Sequence, residues 1–287
     1  MHTTVRLLIL LVLSPFALAQ GTFTQINVPG ATGGGTNPSG INSAGQVSGI
    51  FHDRRGVHGF LLSDGSYTTI DYPGHVGDTY VYGINDLGQL VGSTSTFPVV
   101  GFLYDSLTGT FTEIAYPGAT VTNPVAINNN GTIAGGAQIG QTVVGFQITG
   151  SSYTTISVPG ALRTYVSGIS DSGEVIGFFD NVMQNSIPFS YQGGTYRKVT
   201  VPGIAAPLVE GIDPAGDKLV GGYALGSQTT GFLFARGRAR TLRFPGSTQT
   251  SAGGVNNMGL VVGYFIIPGQ ENHGFLWTPP SAPQKGH

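Results

Sequence analysis

Along most of the chain, short runs rich in Val, Ile, Thr, Tyr and Phe alternate with polar turns marked by Gly, Pro, Asn and Asp. Such runs, bounded by turn residues, predict many short β-strands. The pattern repeats. A Pro-Gly pair recurs at Pro29, Pro73, Pro117, Pro159, Pro202 and Pro245, at spacings of 44, 44, 42, 43 and 43 residues. An apolar residue opening a polar turn that ends in Gly recurs with it: 41–45, 84–88, 127–131, 169–173, 212–216 and 255–259. A Gly-Phe pair follows at Gly59, Gly101, Gly145, Gly231 and Gly274, replaced in the fourth repeat by Pro188-Phe189.

Each mark has a physical role. Asn or Asp at the start of the turn bonds its own backbone two residues on. The closing Gly takes the left-handed conformation the hairpin needs. Pro-Gly ends a strand, because Pro has no N–H to continue a ladder. In the second repeat the marks divide the chain into strands over 79–85, 89–94, 99–104 and 110–116. Four antiparallel strands in about 43 residues form one blade of a propeller. The expected fold is all-β: a six-bladed β-propeller of four-stranded antiparallel blades, over residues 20–278. The last repeat stops after three strands, at Trp277. Residues 22–28 match the missing fourth strand, so the N-terminal strand is expected to close the last blade and remove an open edge.

The first 19 residues read differently. Arg6, the apolar run 7–13 and the Ala17-Leu18-Ala19 triplet form a signal peptide with a small-x-small cleavage site. The run is too short to span a bilayer. The chain is therefore expected to be secreted, extracellular or periplasmic, with no membrane anchor after cleavage. Residues 279–287 read as a disordered tail.

These marks resemble the HAF family of bacterial extracellular repeats. That family's pattern is a His-Ala-Phe-Leu-Trp strand followed by an Ile-Asn-x-x-Gly-x-Ile-Val-Gly hairpin. Val57-His58-Gly59-Phe60-Leu61 and Asn272-His273-Gly274-Phe275-Leu276-Trp277 match the first part, with Gly for Ala, and residues 84–92 match the second. The resemblance implies secretion and a repeat fold. It implies no reaction and carries no catalytic residues.

Composition narrows the chemistry. Of 287 residues, 47 are Gly and 17 Pro, only 9% are charged, and the net charge is −2. Nucleic acid is not an expected partner. With no cysteine there are no disulfides, thiolate sites or cysteine nucleophile. His58 and His273 share a position that other repeats fill with Val100, Val144, Ile187 and Thr230, which reads as packing rather than metal ligation. The Asn- and Asp-containing turns lack the alternating carboxylates of a calcium loop. No Gly-x-Ser-x-Gly elbow is present. No metal or cofactor is expected.

Glu210 stands apart among the acids. It falls on an innermost strand, where the other repeats have Ser39, Tyr82, Val125, Ser167 and Gly253. It is the weak candidate for a catalytic carboxylate, lacking a partner at equivalent positions. Loops leading into the inner strands are expected to open on one face and carry His75, Asp78, Tyr80, Tyr82, Asn123, Arg163 and Tyr165. Aromatic faces beside hydrogen-bonding groups suit a sugar or peptide. Arg236, Arg238, Arg240 and Arg243 form the one charge cluster, read as a solubilising outer hairpin. The sequence thus favours a monomeric, non-enzymatic propeller that binds a carbohydrate or an envelope or extracellular protein. A glycoside hydrolase or lyase using Glu210, and a structural cell-surface or matrix module, stay open beside it.

Overall fold

A computed structural model describes residues 21–74, 77–97, 99–183 and 185–281. The signal peptide assigned to 1–19, His75, and most of the tail lie outside the described residues. Within them the chain is all strand and turn, with no helix. After β1 (Thr22–Ile26), strands follow in fours. The first four are β2 (Thr36–Ile41), β3 (Val47–His52), β4 (Val57–Ser63) and β5 (Ser66–Ile70). Next come β6 (Thr79–Ile84), β7 (Gln89–Thr94), β8 (Gly101–Asp105) and β9 (Thr110–Ile114). Then follow β10 (Val121–Ile127), β11 (Ile133–Ile139), β12 (Thr142–Thr149) and β13 (Ser152–Ile156). The series continues with β14 (Arg163–Ile169), β15 (Val175–Asp180), β16 (Ser186–Gln192) and β17 (Thr195–Lys198). It goes on through β18 (Leu208–Ile212), β19 (Lys218–Leu225), β20 (Gln228–Ala235) and β21 (Arg238–Leu242). The last strands are β22 (Gln249–Val255), β23 (Val261–Ile266) and β24 (Asn272–Thr278).

Each group of four is an antiparallel meander with its first strand innermost. The last group has three strands of its own, and β1 supplies the fourth. β1 pairs with β24 from Thr22↔Thr278 to Ile26↔Gly274, as the truncated last repeat predicts. The array is circular, for β2 packs on β22, β23 and β24 as well as on β6. Single parallel bridges tie the third strand of one meander to the first of the next, at Val143↔Arg163 and Thr229↔Gln249. Such a bridge, Val99↔Val121, explains a boundary shift. Residues expected to open the third strand of the second repeat instead stitch it to the following repeat, and β8 starts at Gly101.

The Gly-Phe mark is a packing device. Phe60, Phe102, Phe146, Phe189, Phe232 and Phe275 are all fully buried, each contributing about 1.5–3 kcal/mol. The glycine before the Phe faces the neighbouring meander. A Cβ on Gly59 would lie 2.4 Å from Val81 Cγ2, and one on Gly274 would lie 2.7 Å from the Pro38 ring. Glycine there lets adjacent sheets meet at backbone distance.

Two sets of side chains lock the repeats together. Buried Thr hydroxyls accept the backbone N–H of the residue just before the preceding Pro-Gly. The pairs are Val28–Thr36, Tyr72–Thr79, Tyr116–Thr122, Val158–Thr164 and Phe244–Thr250, at 2.9–3.1 Å. The fifth repeat has Pro207 there and no hydroxyl. The second set is the turn asparagine. Asn42 Nδ2 donates to Asn85 O, Asn85 to Asn128 O, and Asn128 to Ser170 O, at 2.9–3.1 Å. Asn256 Nδ2 donates to Asn42 O at 2.9 Å and joins the last meander to the first. The Oδ1 of each of these asparagines also accepts N–H groups of its own hairpin. At the fifth repeat the position holds Asp213. It is wholly buried and takes Lys218 Nζ at 2.8 Å as its counter-ion.

Candidate ligand site at the channel mouth

Every innermost strand carries a β-bulge at the same place: between Pro38 and Gly40, Val81 and Gly83, Pro124 and Ala126, Val166 and Gly168, Val209 and Gly211, and Ala252 and Gly254. The unpaired residues are Ser39, Tyr82, Val125, Ser167, Glu210 and Gly253. A bulge re-aims its extra residue, and all of these line one central cavity of about 210 Å³. The cavity is also lined by buried Ile41, Ile84, Ile127, Ile169, Ile212 and Val255, and by the turn residues Asp86, Asn129 and Asp171. At 210 Å³ it is smaller than the roughly 300–1,000 Å³ of sites for drug-sized ligands.

The polar groups at the far end satisfy one another. Asp86 accepts from Ser43 N, Ser43 Oγ and Asn129 Nδ2. Asp171 accepts from Asn129 N and Nδ2. These carboxylates act as links between turns.

At the bulge end, Ser39 Oγ donates to Tyr82 O at 2.7 Å, and Ser167 Oγ donates to Val209 O at 2.8 Å. Glu210 Oε1 accepts from Ser251 Oγ at 2.9 Å. Burial outweighs that bond and pushes the Glu210 carboxyl up to about 7. Burial, and then the charge of Glu210, raises the pKa of Tyr264 on β23. Glu210 is the one acid among the bulged residues, so the second carboxylate that glycosidase chemistry needs is not beside it in this ring.

The sequence-assigned site residues among those described sit on strands, save Asp78, which stands just before β6. Tyr80 and Tyr82 belong to β6, Asn123 to β10, and Arg163 and Tyr165 to β14. Repeats this regular extend the inner strand to the rim and leave short connections. Four of these residues come together. The Tyr80 and Tyr82 rings stack at 6.3 Å with 8° between planes. Tyr80 Oη donates to Asp78 Oδ2 at 3.4 Å. Asp78 Oδ1 accepts Val57 N at 2.9 Å from the previous meander, so Asp78 is a brace as well as a rim residue. Ser93 Oγ donates to Asn123 Oδ1 at 2.9 Å, and the Tyr82 hydroxyl joins both. Burial raises the pKa of both tyrosines. Tyr165 lies on the next inner strand but one from β6, its ring stacked on Phe178 at 4.8 Å and 26°. Arg163 is exposed beside it.

Phe178, Ser251 and Tyr264 were not legible as site residues. Their signal is register: the ladder pairs Tyr165↔Phe178 and Ser251↔Tyr264 each lie two residues before a bulged inner residue. His58 is more than a packing residue. It lies against Phe51 and is held between Asp71 Oδ1 at 2.6 Å and Asp53 Oδ1 at 3.1 Å. No group of three or more His, Cys, Asp or Glu poised to hold a metal is found among the described residues. Of the arginine cluster, Arg238 and Arg240 alternate along β21, Arg236 sits in the turn at φ 52°, and the Arg240 guanidinium lies 5.7 Å from the Trp277 ring.

No family model matches the chain, and no curated protein does. Solved structures do resemble it. TolB from Acinetobacter baumannii aligns with a TM-score of 0.59 at 12% identity over 82% of this chain, which spans 64% of the TolB chain. The β-propeller domain of the Trilobed protease from Pyrococcus furiosus aligns at 0.55 and 9% identity, over 91% of this chain and 85% of that one. That domain is described as having an open velcro topology, whereas here β1 closes onto β24. Virginiamycin B lyase from Staphylococcus aureus aligns at 0.51 and 14% identity, over 91% and 89%. At these identities the likeness establishes an all-β fold of the β-propeller kind.

Proposed function

We propose that this chain is a secreted, six-bladed β-propeller that binds a carbohydrate at the bulge end of its channel without transforming it. The blade count rests on the repeat and on the meanders it generates. Secretion rests on the N-terminal leader pattern. The observation that carries the binding reading is the pair of aromatic stacks, Tyr80 on Tyr82 and Tyr165 on Phe178, half-buried beside Asn123 and Arg163 at one mouth. Rings held this way present an apolar face at little entropic cost, with donors and acceptors beside them. The small channel volume directs a polymer to the rim rather than the interior.

The test is a polysaccharide-binding screen on the chain from Gln20 onward, with Tyr80, Tyr82 and Tyr165 together changed to Ala. Loss of binding with an unchanged circular dichroism spectrum supports the reading. Binding indifferent to the triple change removes the site.

A second reading is favoured by the loop tips at the same end. Phe97 is 78% and Met183 77% exposed, and Leu225 is also exposed. Apolar tips around one mouth suit an extracellular protein partner, which would be lost on changing Phe97 and Met183 to Ser.

A further inference from the structure

Glu210 is placed as a ligand group rather than a structural one. Its bulge turns it out of the ladder and into the cavity. It is half-buried, and among the described residues only Oε1 receives a hydrogen bond, from Ser251. The serines that share the channel, Ser39 and Ser167, spend their hydroxyl protons on backbone carbonyls. A carboxylate partly withdrawn from water, with one oxygen open to the channel, gains from a charged partner there. No other repeat requires an acid there, since Ser, Tyr, Val and Gly serve the fold equally well.

We propose that the channel holds the primary ammonium group of a small ligand, with Glu210 as its counter-ion. An ammonium brings three donors and no acceptor, which complements a carboxylate oxygen and the carbonyls around the bulges. Calcium would need six or more oxygens, and one carboxylate among committed serines does not supply them. Tyr82, in the same ring of bulged residues, adds an aromatic wall of the kind that attracts cations. The cavity of about 210 Å³ admits a small amine. This site shares Tyr82 with the rim proposed for the polymer but does not include Tyr80 or Tyr165.

Binding is coupled to a proton. Glu210, protonated in part near neutrality, loses its proton to solvent as the ammonium pairs with the carboxylate. The other ionisable groups facing it are Tyr264 on β23 and, lining the same cavity, Tyr82, Asp86 and Asp171. The tyrosines stay neutral at pH 6–8 because burial raises them, and Asp86 and Asp171 are engaged by Ser43 and Asn129 at the far end.

The experiment is a 13C NMR titration of the Glu210 carboxyl in the chain from Gln20 onward, with ethanolamine and glucosamine as probes. Ethylene glycol and glucose are the neutral controls. The amines should lower the Glu210 midpoint, and ethanolamine, whose ammonium persists at pH 8, should bind about tenfold tighter at pH 8 than at pH 6. The controls should do neither. E210Q and E210S should lose amine binding, and E210S should fold because Ser39 and Ser167 already occupy this position. A midpoint that neither amine moves, equal binding in E210Q, or an equal response to sodium chloride overturns the proposal. The double variant Y80A/Y165A should lose polymer binding and keep the amine response, so either site can fail without the other.

Discussion

Burial at Glu210 has a sign that can be followed in stability. Its carboxyl titrates at about 7 in the fold against an ordinary value of 4.5. Between those values the unfolded chain has released its proton and the folded chain has not. Stability therefore falls as pH rises through this window and levels off above 7. The loss is on the order of 2–3 kcal/mol, because the group keeps some access to the channel. Urea unfolding at pH 5 and pH 8 should show wild type losing that much relative to E210Q; parallel behaviour of the two refutes the assignment. Asn85 poses a different test. Its amide donates to Asn128 O and Gln89 Oε1 and accepts from Leu87 N and Gln89 N. Asn85→Ala should cost about 2–3 kcal/mol by denaturant unfolding, since it leaves buried groups unsatisfied. The sequence made Glu210 visible, because aligning the turns placed it beside Ser39 and Tyr82. It showed Asn85 only as a turn former. The onward bond to Asn128 joins residues 43 apart, and local propensity contains no such information.

At the level of strands and sheets, the repeat marks prove to be rules of contact. Gly59 is small because Val81 of the next meander occupies the space a Cβ would take. Gly59→Ala should destabilise by about 1–3 kcal/mol through overpacking. Val81→Ala added to it should restore part of the loss, giving a double-mutant coupling that independent sites would not show. Thr79 tests the hydroxyl latch. Thr79→Val keeps the shape and deletes the acceptor for Tyr72 N, so a loss of about 1–2 kcal/mol is expected in thermal unfolding. Strand order and most boundaries were legible because turn residues punctuate them. The bulges were not. They arise where each inner strand must curve around the channel, a demand of the closed ring that no single repeat reveals. Arg163 and Tyr165, expected on a loop, stand on β14.

For the molecule as a whole, closure rests on β1. Phe23 packs edge-on against Phe244 and Phe275, at 5.4 and 5.3 Å, and β1 covers the edge of β24. Removing residues 20–26 should lower the thermal midpoint sharply and produce oligomers in size-exclusion chromatography, because a long uncovered edge recruits other chains. A monomer of unchanged midpoint would show that the closing strand is dispensable. This closure was legible from sequence, since a last repeat one strand short and an orphan strand at the start are two halves of one statement. What the ring encloses was legible only as a list of residues at one position, because a cavity belongs to the assembled circle. The pairing of Thr22 with Thr278 also orders events in time. A chain released N-terminus first presents its opening strand long before the partner exists. That strand must wait, unpaired, while every sheet between forms, so a chain cut short at any point is left with two raw borders. Emergence of β24 and closure of the ring become one event, and a fragment announces itself by what it sticks to.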